Sequence, residues 1–289
     1  MLNTFLLYRQ QQKDTEDDKK IEQLGKRLQK AYAYALAVVL ICFMTKPILV
    51  RQRILPSVGY VPCDIRATLA CYLICYASHC FGGIYTVTCF ISTDSLFWTF
   101  LCYGYLEIKY VKHNLLNLKI NKGRGGDDPE VLEKISSLVQ HHAQILTYLQ
   151  KVNDTFAAML VYQFVASLCT LGMALFCLTM EGFPPSLRIT VMYSPYYLAS
   201  AQQIFVYCLA GGIISNQSAS VADAAYNSEW WSKHQPNTRK ALSLIILRSQ
   251  REVKITVGGL WILNLNTFCA IVKAAMTMLT FMKNLYGRE

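Results

Sequence analysis

The stretch ATLACYLICYASHCFGGIYTVTCFIST, residues 67–93, contains no Lys, Arg, Asp or Glu. Roughly 20 consecutive apolar residues, wound as a helix, cross the ~30 Å hydrocarbon core of a bilayer. A run of this length is therefore read as a membrane span. Four further windows repeat the pattern: Ala31–Val50, with Lys46 and Pro47 near its end; Thr155–Met180; Ile189–Ala222; and Ile255–Met282, interrupted only by Lys273. The whole chain agrees, with 53% hydrophobic and only 16% charged residues over 289 positions, too apolar for an ordinary soluble domain. With no water available to backbone groups inside a bilayer, these spans read as helices. The fold class is an all-α polytopic membrane helix bundle with five transmembrane helices.

Charge sets the orientation. Of the 28 Lys and Arg, twenty fall in segments 1–30, 109–153 and 216–254, and seven fall in the alternate segments. Basic residues accumulate on the cytoplasmic side, so the amino terminus is cytoplasmic and the carboxyl terminus outside. The same asymmetry accounts for the net charge of +10 with no nucleic acid as partner. No signal peptide precedes the first span, because residues 1–30 are polar with a charge cluster from Lys13 to Lys20. The first span is then its own targeting signal. Most of the eleven cysteines lie inside the apolar windows, where cysteine acts as a small hydrophobe, and they leave the redox compartment undetermined.

The chain divides into a cytoplasmic helix or loop (1–30), two spans with a cytoplasmic extension (31–108), a cytoplasmic loop and helix (109–153), two more spans (154–222), a cytoplasmic segment (223–254), and a last helix with a short outer tail (255–289). The second apolar run continues past Asp94 to Leu106 and should project into the cytoplasm. In the third segment KINKGRGGDD reads as a flexible loop, and Pro129 is placed to start a helix with an apolar face at Val131, Ile135, Leu138, His142, Ile145 and Leu149. EGFPPS, residues 181–186, forces a tight outer hairpin. Pro195 should loosen the helix that contains it.

Catalytic signatures are absent: there is no phosphate-binding loop, nucleophile elbow or HExxH. The chain reads as a non-enzyme with no cofactor. Cys71, Cys75 and His79 share a helix face and could in principle grip a metal. With no fourth ligand evident, packing of small residues in a membrane helix is the better reading, and no metal is expected. The acceptor patterns at Asn153 and Asn216 fall on the cytoplasmic side and should carry no glycan.

The last window is the most informative. Stepping alternately by four and three from Asn266 gives Ala270, Lys273, Thr277, Thr280 and Asn284, a polar stripe along one helix face. An ionisable residue in hydrocarbon normally faces a bundle interior or a water-filled cavity, so the stripe lines a conduit or is buried against partner helices. As a pore it includes Lys273, Thr277 and Thr280, with Phe281 and Leu285 beside it as a hydrophobic gate that closes by dewetting. One such stripe cannot enclose a conduit, and the pore reading requires several subunits around an axis.

QIFVYCLAGGIISNQSASVADAAYNSEWW, residues 203–231, followed by RKALSLIILRSQREVKITVGGLWILNLNTFCAIVKAAMTMLTFM, residues 239–282, resembles the carboxyl-terminal signature of insect odorant receptors. The matching positions include Gln203, Phe205, Tyr207, Cys208, Gly211, Ser218, Tyr226, Trp230, Ser249, Gln250, Thr256, Gly258, Gly259, Phe268 and Lys273. LPSVGYVPCD, DSLFW around Asp94 and HAQIL from His142 fit as well. The resemblance implies a subunit of an odorant-gated, nonselective cation channel in the plasma membrane of olfactory sensory neurons. It further implies a heterotetramer with a co-receptor, olfactory signalling through a small volatile odorant, and a seven-helix fold. By resemblance, Tyr226, Trp230 and Trp231 form a subunit anchor, and Phe281 and Leu285 fall at the family's gate. The match begins in the loop before the third of seven helices, so the chain is expected to lack the first two. Glu252 stands where the family commonly has proline, which allows an extra helical turn there. The odorant pocket is expected in the outer halves of the spans, at Phe43, Met44, Tyr72, Tyr76, Tyr193, Tyr196 and Tyr197. The alternatives are a gustatory-type receptor channel, a secondary transporter, and a nonfunctional truncated receptor fragment.

Overall fold

The computed structural model describes residues 16–50, 54–56, 61, 63–65, 68–118, 128–180, 182, 184–228, 230 and 235–286. Among the described residues six helices carry the fold: α1 (Glu16–Val50), α2 (Leu69–Leu116), α3 (Pro129–Thr179), α4 (Leu187–Tyr226), α5 (Pro236–Ser249) and α6 (Leu265–Tyr286). All but α5 are long and apolar enough to cross a membrane. Between α5 and α6 the strands β1 (Thr256–Val257) and β2 (Trp261–Ile262) form an antiparallel hairpin in which Thr256 faces Ile262 and Val257 faces Trp261.

Local chemistry explains the boundaries. Pro129 occupies the first turn of α3, and the Asp128 carboxylate caps that end by accepting from the Glu130 N–H at 3.1 Å. The helix then continues without a break into its membrane span, which merges two expected pieces into one of 51 residues. α2 likewise extends well past Leu106. α4 runs through Pro195 unbroken.

The last window departs from a single helix. Gly258 and Gly259 take φ of +57° and +75°, values that favour glycine, and they turn the chain back on itself before the helix begins. The hairpin closes with the Leu263 N–H donating to the Ile255 carbonyl at 2.8 Å. α6 starts only at Leu265, where the Asn264 side chain accepts from the Thr267 N–H at 2.9 Å. Residues 255–264 are therefore a hairpin and cap, while the polar stripe lies wholly within the helix. Nor does α5 gain a turn at Glu252. It ends at Ser249, and the Glu252 carboxylate accepts from the Ser215 hydroxyl at 2.6 Å.

A further correction concerns the cysteines. Cys71 is bonded to Cys63 in a disulfide. It is neither a bare small hydrophobe nor available to a Cys71–Cys75–His79 metal grip. Disulfides persist in oxidising compartments, which agrees with an outer location for residues 51–68.

Packing is uneven along the bundle axis. The most apolar windows of α1 and α2 bury 6% and 0% of their residues inside the chain, against 39% for those of α3 and α4. The main core joins the carboxyl-terminal half of α2, the amino-terminal half of α3, the end of α4, and α5, through Ile108, Leu115, Ile145, Leu149, Val221 and Leu242, and it continues along α3 and α4 through Leu160, Leu171, Ile204 and Ile214. Of these, the two halves, the end of α4 and α5 are the parts that the charge distribution leads one to expect on the cytoplasmic side. There the hydrophobic effect of water drives burial; inside a bilayer, where apolar side chains have no such need to leave lipid, α3 and α4 are held by packing while α1 and α2 leave their apolar windows almost wholly unburied.

Candidate functional site

α6 has two unlike faces. One packs on the bundle. A Cβ on Gly172 of α3 would meet the Met278 sulfur at 2.5 Å, Phe268 sits edge-on to Phe205 of α4 at 5.4 Å, and Tyr286 edge-on to Phe176 at 6.1 Å. The other face carries Asn266, Ala270, Lys273, Thr277, Thr280 and Asn284, and all six are exposed. Phe281 and Leu285 border that face at 63% and 52% exposure. The Thr277 and Thr280 hydroxyls donate to the carbonyls of Lys273 and Met276, each at 3.1 Å. The helix is thus held from behind, with every stripe and gate residue turned away from its own chain.

The support behind α6 is close-fitting. Gly211 of α4 lies against Leu263, the buried residue two positions before the helix, where a Cβ would come within 2.6 Å of the Leu263 carbonyl oxygen. The hairpin is also tied to α3, because the Thr256 N–H donates to the Asn153 side chain at 2.6 Å.

A buried polar cluster joins four helices at mid-bundle. Asp94 of α2, 1% exposed, accepts hydrogen bonds from the hydroxyls of Tyr32 (α1) and Tyr207 (α4) and from the Gln203 amide (α4) at 2.7 Å. Gln203 in turn accepts from Gln163 of α3 at 2.6 Å, and Gln163 donates to Ser167 at 3.0 Å. Phe97 and Trp98 cover the cluster against Tyr207. A carboxylate removed from water needs such donors, and three converge on it here. The sequence placed Asp94 within the second apolar run and a family motif, with no role assigned to it. A lone acid in a long apolar run, followed downstream by glutamines within two apolar spans, was the available signal.

The expected pocket residues are distributed over three helices, α1, α2 and α4. Tyr72 and Tyr76 stack at 6.0 Å, and the Tyr76 hydroxyl donates to the Met44 carbonyl at 2.9 Å, which joins α2 to α1. Phe43 also faces α2, beside Gly83. Tyr193 approaches Cys177 of α3, and Tyr196 approaches Cys42 of α1. All seven, Tyr197 included, are half-buried. A separate apolar cavity of about 370 Å³, between residues 21–29 of α1, 98–106 of α2 and 206–214 of α4, includes none of them.

In the expected anchor region Tyr226 is exposed at the end of α4, and Trp230 is half-buried against the core. Trp231 lies outside the described residues. Between α2 and α3, Glu107 and His141 form a buried contact at 3.0 Å. Burial, followed by the positive charge of Arg248, lowers the His142 imidazole to about 4.

Comparisons with known proteins agree with this architecture. The family model described as 7tm Odorant receptor matches residues 1–276. The chain is 24% identical over 268 residues to Odorant receptor Or2 of Anopheles gambiae, covering 91% of this chain and 70% of that relative. It is 29% identical to Odorant receptor 82a of Drosophila melanogaster over 158 residues, 55% of this chain and 40% of that one. The chain therefore spans well under the full length of these relatives. Among solved structures, the insect olfactory receptor OR5 from Machilis hrabei in complex with eugenol superposes with a TM-score of 0.77 at 16% identity, covering 98% of this chain and 74% of that one. That likeness carries the fold.

Proposed function

The chain belongs to the 7tm odorant receptor family, a multi-pass membrane family and not an enzyme family, and from that premise we propose that it is an odorant-binding subunit of a ligand-gated, nonselective cation channel. It acts with a co-receptor in a heterotetramer in the plasma membrane of olfactory sensory neurons. The observation that carries the reading is the division of α6 into a packed face and an exposed polar face. A Lys273 ammonium, two threonine hydroxyls and two asparagine amides turned toward lipid would be costly. Turned toward a shared axis, they line a wet path.

Closure follows from Phe281 and Leu285 at the outer end. Several copies of such side chains around an axis exclude water from a narrow passage. The odorant sits among the outer tyrosines of α2 and α4 and the Phe43–Met44 stretch of α1, and it binds the open arrangement more tightly, which shifts a pre-existing equilibrium. The connection to the gate is short. α4 carries Tyr193, Tyr196 and Tyr197 at its outer end, and Gly211 of the same helix bears on Leu263, next to the start of α6. Tyr226, Trp230 and Trp231 supply large rigid contact area for subunit association.

The test is cysteine accessibility. The chain is expressed with a co-receptor, both as given and joined behind the first two helices of a relative. Thr277→Cys and Thr280→Cys are expected to react with water-soluble methanethiosulfonate reagents and to change the current, whereas Ala275→Cys on the packed face is not. Conducting assemblies in which Thr277→Cys and Thr280→Cys stay unreactive would rule out the pore assignment.

A further inference from the structure

We propose that Cys75 is the resident nucleophile of a three-sulfur exchange site at the outer end of α2, able to move the Cys63–Cys71 disulfide to Cys63–Cys75. The sulfurs of Cys63, Cys71 and Cys75 all lie within 4.8 Å of one another. Cys63 and Cys71 are bonded, with Cα atoms 6.4 Å apart, and Cys75 is a free, half-buried thiol one helical turn beyond Cys71. A free thiol this close to a disulfide is placed for exchange, which proceeds by attack of a thiolate on one disulfide sulfur. The inference depends on the outer placement of residues 51–68 and not on the channel reading.

The step balances within the chain. The Cys75 thiol gives up its proton, and the thiolate attacks the sulfur of Cys63. The Cys63–Cys75 bond forms as the Cys63–Cys71 bond breaks, and the leaving electron pair stays on Cys71, which takes up a proton from water. No oxidant or reductant is consumed. Attack on Cys71 instead would link two positions four apart on one helix, whose Cβ atoms stand ~5–6 Å apart, against the ~3.5–4.5 Å a disulfide needs. Cys63 is therefore the sulfur attacked. The product ties the preceding loop one turn further along α2, a shift of about 6 Å at 1.5 Å per residue. The new tether stands between Tyr72 and Tyr76, whose rings stack on the same stretch.

Disulfide mapping of the intact chain tests this. Wild-type protein is held without external thiol at about pH 8.5, where thiolate is populated, then quenched with acid, alkylated with N-ethylmaleimide in denaturant, and digested. Alkylated Cys71 is expected to appear in step with the loss of alkylated Cys75, and a Cys63–Cys75 peptide pair should accompany it. Cys71→Ser, matured through the oxidising secretory compartment, is expected to carry Cys63–Cys75, and Cys75→Ser to retain Cys63–Cys71. Alkylation of both Cys63 and Cys75 in folded Cys71→Ser would overturn the proposal. A wild-type Cys71 that never becomes alkylatable would do the same, and it decides the matter if Cys71→Ser does not fold.

Discussion

Two glycines that look equivalent in sequence should respond very differently to alanine. At Gly211 an added Cβ stands 2.4 Å from the Cβ of Leu263 and 2.6 Å from its carbonyl oxygen. Leu263 is fully buried, and its N–H closes the hairpin to Ile255, so the obstruction is backbone that cannot swing aside. At Gly172 the added Cβ meets the Met278 sulfur at 2.5 Å and its Cγ at 3.1 Å, and an unbranched thioether can rotate away. Overpacking costs ~1–3 kcal/mol, while exchanging a mid-helix glycine for alanine returns up to ~1 kcal/mol. Gly211→Ala should therefore lose about 1–2 kcal/mol net and Gly172→Ala close to nothing. At roughly 2–4 °C per kcal/mol for a chain of this order, Gly211→Ala should melt several degrees below the parent and Gly172→Ala within about a degree of it. Melting is followed by size-exclusion fluorescence of detergent-solubilised protein. Because Leu263 lies two residues before α6, Gly211→Ala should also change basal current in a conducting assembly, and Gly172→Ala should not. Equal melting temperatures for the two variants would refute the steric reasoning.

The buried carboxylate gives a second expectation. Asp94→Asn keeps the shape but replaces one acceptor oxygen with a donor, setting an NH₂ against the hydroxyl of Tyr32 or Tyr207 or the amide of Gln203. Stranding a buried hydrogen-bonding group costs ~1–3 kcal/mol, so this variant should melt lower than Tyr32→Phe, which removes only one of three donors. Equal melting temperatures would count against Asp94 as the hub. The third expectation concerns pH. The His142 imidazole, lowered to about 4 by burial with Arg248 and His141 nearby, takes up its proton more readily when unfolded, at about 6.5. Stability should then fall as pH drops from about 6.5 toward 4, by at most roughly 2 kcal/mol at pH 5. His142→Leu should flatten that loss, since the ring Nε2 makes no hydrogen bond among the described residues. A variant that loses as much between pH 7 and pH 5 as the parent would exclude His142 as its source.

Apolar run length located all five spans, because a bilayer sets one length for every crossing and composition reports it directly. The polar stripe of α6 was legible for the same kind of reason: residues 266–284 repeat at helical spacing whatever lies outside them. What sequence could not supply was the meeting of residues far apart in the chain. Asp94 finds Tyr32, Gln203 and Tyr207 across 62 to 113 positions, and no local pattern announces which tyrosine turns inward. The Cys63–Cys71 bond was hidden differently. Eight positions apart, with one member inside an apolar run, Cys71 satisfied the rule for a packing cysteine. The hairpin at 255–264 was missed because its residues are apolar enough to extend the span, although Gly258–Gly259 and the Asn264–Thr267 cap signalled the turn and the helix start.

The uneven packing bears on where motion can occur. The most apolar windows of α1 and α2 bury almost nothing within the chain, whereas the carboxyl-terminal half of α2, the amino-terminal half of α3 and the end of α4 are locked with α5 by fully buried side chains. Between the two zones stands the Asp94 cluster, which takes one donor from α1 and two from α4. On the proposed function, a ligand at the outer tyrosines would displace the outer helix ends at little cost, because no residue of 187–202 in α4 and almost none in the apolar windows of α1 and α2 is buried. It cannot shift the cytoplasmic core without breaking dense packing, so the Asp94 cluster is the natural fulcrum. α4 is the one helix that carries outer tyrosines above that fulcrum and Gly211 below it. On that proposal, movement of its outer end would reach Leu263 as a tilt. α6, held only along one face, is the element most free to follow.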